Sequence, residues 1–143
     1  MQYLYPAVAE QDETGYWLVT FPDVPEAGTD AETLEDALAE AQDALLAALG
    51  GYVEQRRDIP APSPLGPGQH GVALPVLTSA KLALYQTMRD QGVNNTQLAK
   101  RLGVSETVVR RMVDLDHNTR IDHLERALAL LGKRLATQVM DAT

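Results

Sequence analysis

One stretch constrains this chain more than any other: "RRDIPAPSPLGPGQHG", Arg56 to Gly71. Pro60, Pro62, Pro64 and Pro67 each lack a backbone donor and disfavour a helical residue before them. Gly66, Gly68 and Gly71 loosen the backbone further. No helix and no central strand can run through such a segment. The chain must therefore fold on either side of it, and 143 residues accommodate two small modules. Charge divides at the same place. Residues 1–71 carry two arginines, no lysine and thirteen acids, whereas residues 72–143 carry ten Lys/Arg and seven acids. The balances are −11 and +3. The overall charge of −8 alone argues against nucleic-acid binding; the split lifts that objection for the second half and points to different partners for the two halves.

Composition narrows the chemistry. With 45% hydrophobic and 22% charged residues, a folded core is expected. Cysteine is absent, which excludes disulfides, thiolate catalysis and cysteine-based zinc sites. His70 reads as a loop residue. His117 and His123 lie six positions apart, whereas a helical ligand pair needs three or four. No metal or other cofactor is expected. No apolar run approaches the ~18 residues of a membrane span, so no membrane partner is expected. The start "MQYLYPAVAEQDE" lacks the basic and apolar regions of a secretory leader, so the expected location is cytoplasmic.

The first module reads as strand, strand, helix. Residues 3–9, "YLYPAVA", and 16–21, "YWLVTF", form a hairpin around the polar turn "QDETG". Trp17, Val19 and Phe21 face one side; Tyr16, Leu18 and Thr20 the other. Pro22 and Pro25 end the second strand. "AGTDA" is either a brief third strand or a turn. From about Ala31 to Leu49 the period changes. Leu34, Ala37, Leu38, Ala41, Leu45, Ala48 and Leu49 make the apolar stripe of an amphipathic helix. Thr29 with Glu32 has capping-box spacing, Asp30 is a second candidate cap, and Gly50 and Gly51 are stop signals. The helix covers the sheet, since a hairpin cannot bury its apolar face alone. A strand is expected in "GVALPVL", Gly71–Leu77.

The acids here admit three readings. Asp12, Asp23 and Asp30 could hold Mg²⁺ in a nuclease, but such a site needs carboxylates converging from ordered elements, and no histidine or lysine stands near them. They could be a solvated face and helix caps. They could also form an acidic surface for a basic partner.

The second module is more specific. "TSAKLALYQTMRDQG", Thr78–Gly92, reads as a helix capped at Thr78 or Ser79 and ended by Gly92. In "NNTQLAKRLGVSETVVRRMVD", Thr96 is expected to cap a short helix carrying Leu98, Ala99 and Leu102. Gly103 supplies a turn of positive φ. Ser105 caps the next helix, with Val109 and Met112 facing inward. That is the spacing of a helix-turn-helix. Arg120–Leu131 follows as another helix, stopped by Gly132. "KRLATQVM" is open between a strand, paired across a dimer, and a frayed helix.

"TQLAKRLGVSETVVRRM" resembles the phage-repressor-like helix-turn-helix family. Ala99, Gly103, Val104, Val109 and Met112 fall at the family's relative positions. The resemblance implies that the second helix enters the major groove, exposing Ser105, Glu106, Thr107, Val108, Arg110 and Arg111. Arginine can bond guanine edges, and Thr or Val can touch a thymine methyl. Thr96, Gln97 and Lys100 join this DNA-binding set, with Arg101 as a further phosphate contact. The competing reading is a plain helical bundle with basic faces.

Taken whole, the chain resembles the HicB-type antitoxins. The likeness rests on the hairpin, "FPDVPEAGTDA", "TLEDALAEAQDAL", "RRDIPAPSP" and "VALPV", followed by the helix-turn-helix. It implies an α+β chain: a partial, inactive RNase H-like domain of β-β-β-α-β order at 1–77, with 56–71 as the Pro/Gly-rich connection, then an all-α DNA-binding domain at 78–143. It implies a non-enzymatic antitoxin that occludes a HicA-type toxin, a small basic ribonuclease. The same chain would repress its own operon by binding operator DNA as a homodimer or larger oligomer. Asp23, Glu26, Asp30 and Glu35 are the candidate toxin-binding acids. Two rival functions remain at this point: a stand-alone, ligand-responsive repressor, and a metal-dependent RNase H-like nuclease.

Overall fold

The computed structural model describes residues 2–142. The chain is mixed α+β, with a four-stranded antiparallel sheet and five helices among these residues. It divides into two compact units between Leu74 and Pro75, three residues earlier than the expected 77/78 division.

The first unit contains β1 (Leu4–Gln11), β2 (Trp17–Thr20), β3 (Gly28–Ala31), α1 (Leu34–Glu54) and β4 (His70–Ala73). The order β-β-β-α-β is the expected one. In space the strands run β3-β2-β1-β4, every neighbouring pair antiparallel. "AGTDA" is thus a strand: Leu18 lies opposite Asp30, and Thr20 opposite Gly28. β4 pairs with the first half of β1 and includes His70, which stands opposite Ala7 and is not a loop residue. α1 packs against β2, β3 and β4. Its Ala37, Ala41, Leu45, Leu49 and Tyr52 are buried, together with Tyr5, Ala7, Val19, Phe21 and Val72. Each fully buried leucine stabilises the layer by about 1.5–3 kcal/mol. Tyr16, Leu18 and Thr20 are exposed, as the strand period requires.

Both ends of α1 correct the sequence reading. Neither Thr29 nor Asp30 caps it, because β3 uses both as strand residues. Thr33 takes the cap and accepts from the Asp36 amide at 3.1 Å. Gly50 and Gly51 do not stop it either. The buried stripe continues to Tyr52, whose burial holds the extra turn. The helix ends in a Schellman motif, with the Arg57 amide donating to the Tyr52 carbonyl and the Arg56 amide to that of Val53. Arg56 occupies the left-handed position at φ 55°, a place that glycine takes at lower cost.

The second unit contains α2 (Val76–Gln91), α3 (Asn95–Leu102), α4 (Glu106–Met112) and α5 (Ile121–Leu130). α2 starts before Thr78 because Pro75, fixed at φ −55°, serves as its N-cap. The Ser79 amide already donates to the Pro75 carbonyl at 2.9 Å. Asn94, and not Thr96, caps α3. Its carboxamide accepts from the Gln97 amide at 2.8 Å, and the Gln97 side chain accepts from the Asn94 amide at 2.9 Å. This reciprocal box satisfies two otherwise orphaned donors. Gly92, Gly103 and Gly132 each follow a helix in the left-handed conformation. Ser105 caps α4 as expected. Ala80, Leu84, Met88, Leu98, Ala99, Leu102, Val109, Met112, Leu124 and Leu128 share one core. Residues 133–142 form neither strand nor helix within the chain, and Val139 is 99% exposed. No helix among the described residues is long and apolar enough to cross a membrane.

Candidate functional site

α3 and α4 pack against one another across the turn at Gly103, which stands at φ 71°. The Val104 amide donates to the Ala99 carbonyl at 3.0 Å and the Gly103 amide to that of Lys100, so the turn is closed by the end of α3. Leu98, Ala99 and Leu102 of α3, with Val109 and Met112 of α4, turn inward. That leaves Thr96, Gln97, Lys100 and Arg101 exposed on α3, and Thr107, Val108, Arg110 and Arg111 exposed on α4. Glu106 is half-buried, and Ser105 is exposed with its hydroxyl on the Val108 amide. The nine candidate DNA-binding residues thus share two packed helices and the cap joining them. Arg110 lies along α4 with Glu106 at 3.1 Å and Thr107 at 3.2 Å. Such an exposed pair is worth little in isolation, and the guanidinium stays largely exposed. Gln97 has committed its carbonyl oxygen to the cap, which leaves its amide nitrogen as the outward donor.

Beside α4 lies a shallow groove of about 240 Å³, bordered by Val108, Arg111, Asn118, Thr119, Arg120 and the two histidines His117 and His123. Behind it is a residue that sequence reasoning passed over. Lys81 of α2 is only 1% exposed. Its ammonium donates to the carbonyls of Arg111 and Asp114 and to the Thr119 hydroxyl, each at 2.8 Å. Burial pushes this amine below the usual lysine value, and nearby Asp114 pulls the other way. The available signal was a lone lysine at a position between Ala80 and Leu82 in the buried stripe of α2.

In the first unit the acids separate into two kinds. Asp12 closes the β1–β2 turn: its Oδ1 accepts from the Thr14 amide and hydroxyl at 2.9 and 2.7 Å and from the Tyr16 amide at 3.0 Å. The Thr14 hydroxyl chiefly holds this carboxyl below its ordinary value. Asp23 accepts from the Ser63 amide and hydroxyl at 2.8 and 2.7 Å, which ties the loop after β2 to the proline-rich connection. Glu26 accepts from the Tyr52 hydroxyl at 2.7 and 2.8 Å and from Arg57 at 3.2 Å. The Tyr52 hydroxyl is the main reason its carboxyl sits below the usual range. Asp30 and Glu35 are exposed near the start of α1. Glu35 and Tyr52 are seventeen residues apart on that helix, or roughly 25 Å at 1.5 Å per residue. The four candidate toxin-binding acids therefore do not form one patch: Glu26 sits at one end of α1, Glu35 at the other. Among the described residues, no three His, Asp or Glu side chains gather as a metal-binding set.

Known proteins are similar in sequence to this chain over most of its length. Residues 4–83 match the family described as HicB_like antitoxin of bacterial toxin-antitoxin system. The chain is 47% identical over 131 residues to Antitoxin HicB 2 of Photorhabdus laumondii, covering 92% of each protein. It is 39% identical to Antitoxin HicB of Pseudomonas fluorescens over 93% of this chain and 92% of that one. Antitoxin HicB of Escherichia coli K12 is 35% identical over 92% of this chain and 96% of its own length. The chain therefore belongs to the HicB-like antitoxin family of bacterial toxin–antitoxin systems.

Proposed function

We propose that this protein neutralises a small basic ribonuclease toxin by occlusion, and that it represses its own operon by binding operator DNA. It would act without catalysis, in the cytoplasm, as a homodimer or higher oligomer. In this reading the first unit is a partial RNase H-like domain that receives the toxin. The second unit is a helix-turn-helix domain. The family supports the antitoxin role. The observation that carries the DNA role is the α3–Gly103–α4 pair, with its buried seam and its exposed Lys100, Arg101, Arg110 and Arg111. α4 would lie in the major groove, with Arg110 reading a base edge and Lys100 meeting phosphate.

Asp23 and Glu26 are occupied inside the unit, so Asp30, Glu35, Asp36 and Asp43 around the first half of α1 are the stronger docking acids. A basic ribonuclease is drawn to such a field, and an RNA backbone is repelled by it. A nuclease reading is disfavoured because Asp12 and Asp23 already close a turn and a loop.

The test uses the full chain and the small basic protein encoded beside its gene. Co-purification and loss of that protein's ribonuclease activity at equimolar chain are expected. Undiminished RNA cleavage would contradict the antitoxin mechanism. Arg110→Ala should weaken binding to the DNA upstream of the gene by about 1–3 kcal/mol, measured by fluorescence anisotropy; unchanged affinity removes Arg110 from the base-reading set.

A further inference from the structure

α4 has only seven residues, and a helix this short has carbonyls at its C-terminus with no intrahelical donor. The segment after it, residues 113–120, has no regular element. Val113, Leu115 and Thr119 in it are half-buried, and its polar groups meet the buried side chain of Lys81. Lys81 adds three donors from α2 to this segment and the end of α4. An ammonium has three N–H groups, and here three oxygens surround it, each at 2.8 Å: two carbonyls, one at the end of α4 and one beyond it, and the Thr119 hydroxyl. The same segment is knotted by further bonds. The Asp114 amide donates to the Arg111 carbonyl, the His117 amide to the Asp114 carbonyl, and the Asp116 amide to the Asp114 carboxylate. Asn118 and Thr119, which border the groove beside α4, belong to this segment, and Arg111, which also borders it, lies in the last turn of α4. A cation at the carboxyl end of α4 also complements the helix dipole.

We propose that Lys81, which cannot reach DNA itself, is a positioning residue for sequence recognition. Its ammonium fixes the end of α4 and the 113–119 segment, and thereby sets where Arg111 and the groove beside it meet the duplex. The inference rests on the operator-binding reading of the second unit. It differs from a general core role in what it controls. Loss of fold removes all DNA binding in proportion, whereas loss of position removes discrimination and leaves attraction to phosphate.

The experiment compares the full wild-type chain with Lys81→Met, which has no donor, and Lys81→Gln, which has two for three acceptors. Anisotropy is measured against the duplex upstream of the gene and against a scrambled duplex of equal length, with the folded fraction read by circular dichroism. Upstream-duplex affinity should fall about ten-fold for Lys81→Met and less for Lys81→Gln, while scrambled-duplex affinity stays within about three-fold. An unchanged ratio between the two duplexes, or a parallel fall that tracks the folded fraction, overturns the assignment. Hydrogen exchange of the wild-type chain tests it without a variant. The Asp114 and His117 amides should be protected like those of α4, and exchange at unstructured-chain rates would overturn the proposal. A wild-type chain that does not distinguish the two duplexes defeats the operator reading itself, and this assignment with it.

Discussion

The two units use charge in opposite ways. In the first, carboxylates fasten loops: Asp12 closes a turn, Asp23 anchors the proline-rich connection and Glu26 ties the loop after β2 to the end of α1. In the second, one buried cation organises the segment after α4, while the other cations on α3 and α4 stay exposed. The helix ends differ too. Gly92, Gly103 and Gly132 take the left-handed position in the second unit, and Arg56 takes it in the first. The lesson is that a charged residue's sign and neighbours in sequence do not reveal whether it is committed to structure. The acidic half commits several of its charges to loops that look free, and the basic half commits a lysine whose partners lie far along the chain.

This contrast can be broken by substitution. The largest effect is expected at Gly103. An added methyl finds open space there, so the cost is conformational alone. Gly103→Ala should destabilise the chain by about 1–2 kcal/mol, read by urea denaturation. Arg56→Gly makes the converse change at the same motif position and should stabilise by about 1 kcal/mol. If both shifts carry one sign, the left-handed positions are not equivalent. Gly51 lies inside α1, where an added methyl would meet nothing within 4 Å, so Gly51→Ala should add about 0.5–1 kcal/mol.

The smallest effect is on pH dependence. Glu26 and Asp12 have carboxyls held below their ordinary values of 4.5 and 3.8. A carboxyl lowered by folding contributes stability that is present above the unfolded value and is lost as pH falls through the folded one. The melting temperature should therefore hold from neutral pH to about 5 and fall below the unfolded values of 4.5 and 3.8. Glu26→Gln should flatten that acid limb. An unchanged limb would place the titration elsewhere.

Much of this was legible in the chain. Period-two strands and a period-three-to-four stripe gave the β1–β2 hairpin and α1, because both follow from which side chains must leave water; the β-β-β-α-β order came from the family resemblance instead. Gly103 and Ser105 gave the turn between α3 and α4, because each meets a backbone requirement local to itself. The errors came where a long-range contact overrode a local signal. Gly50 and Gly51 look like a stop until Tyr52 is buried beyond them. Thr29 looks like a cap until β3 claims it. Thr96 is a different case, since the reciprocal Asn94–Gln97 box that displaces it is itself local. Lys81 stands out only as a lysine in a buried stripe, and its role is hidden because its partners lie 30, 33 and 38 residues away. The split among the toxin-facing candidates was likewise hidden, since Ser63 is 40 residues from Asp23.

We propose a division of labour in which toxin and operator are handled by different units of one chain. It is tested most directly by assaying two full-length variants against both partners: Arg110→Ala in α4, and Asp30→Lys with Glu35→Lys near the start of α1. The first variant should lose operator affinity and still inhibit the adjacent basic ribonuclease, while the second should lose inhibition and still bind the operator. Loss of both activities in either folded variant, or of the opposite one, would contradict it.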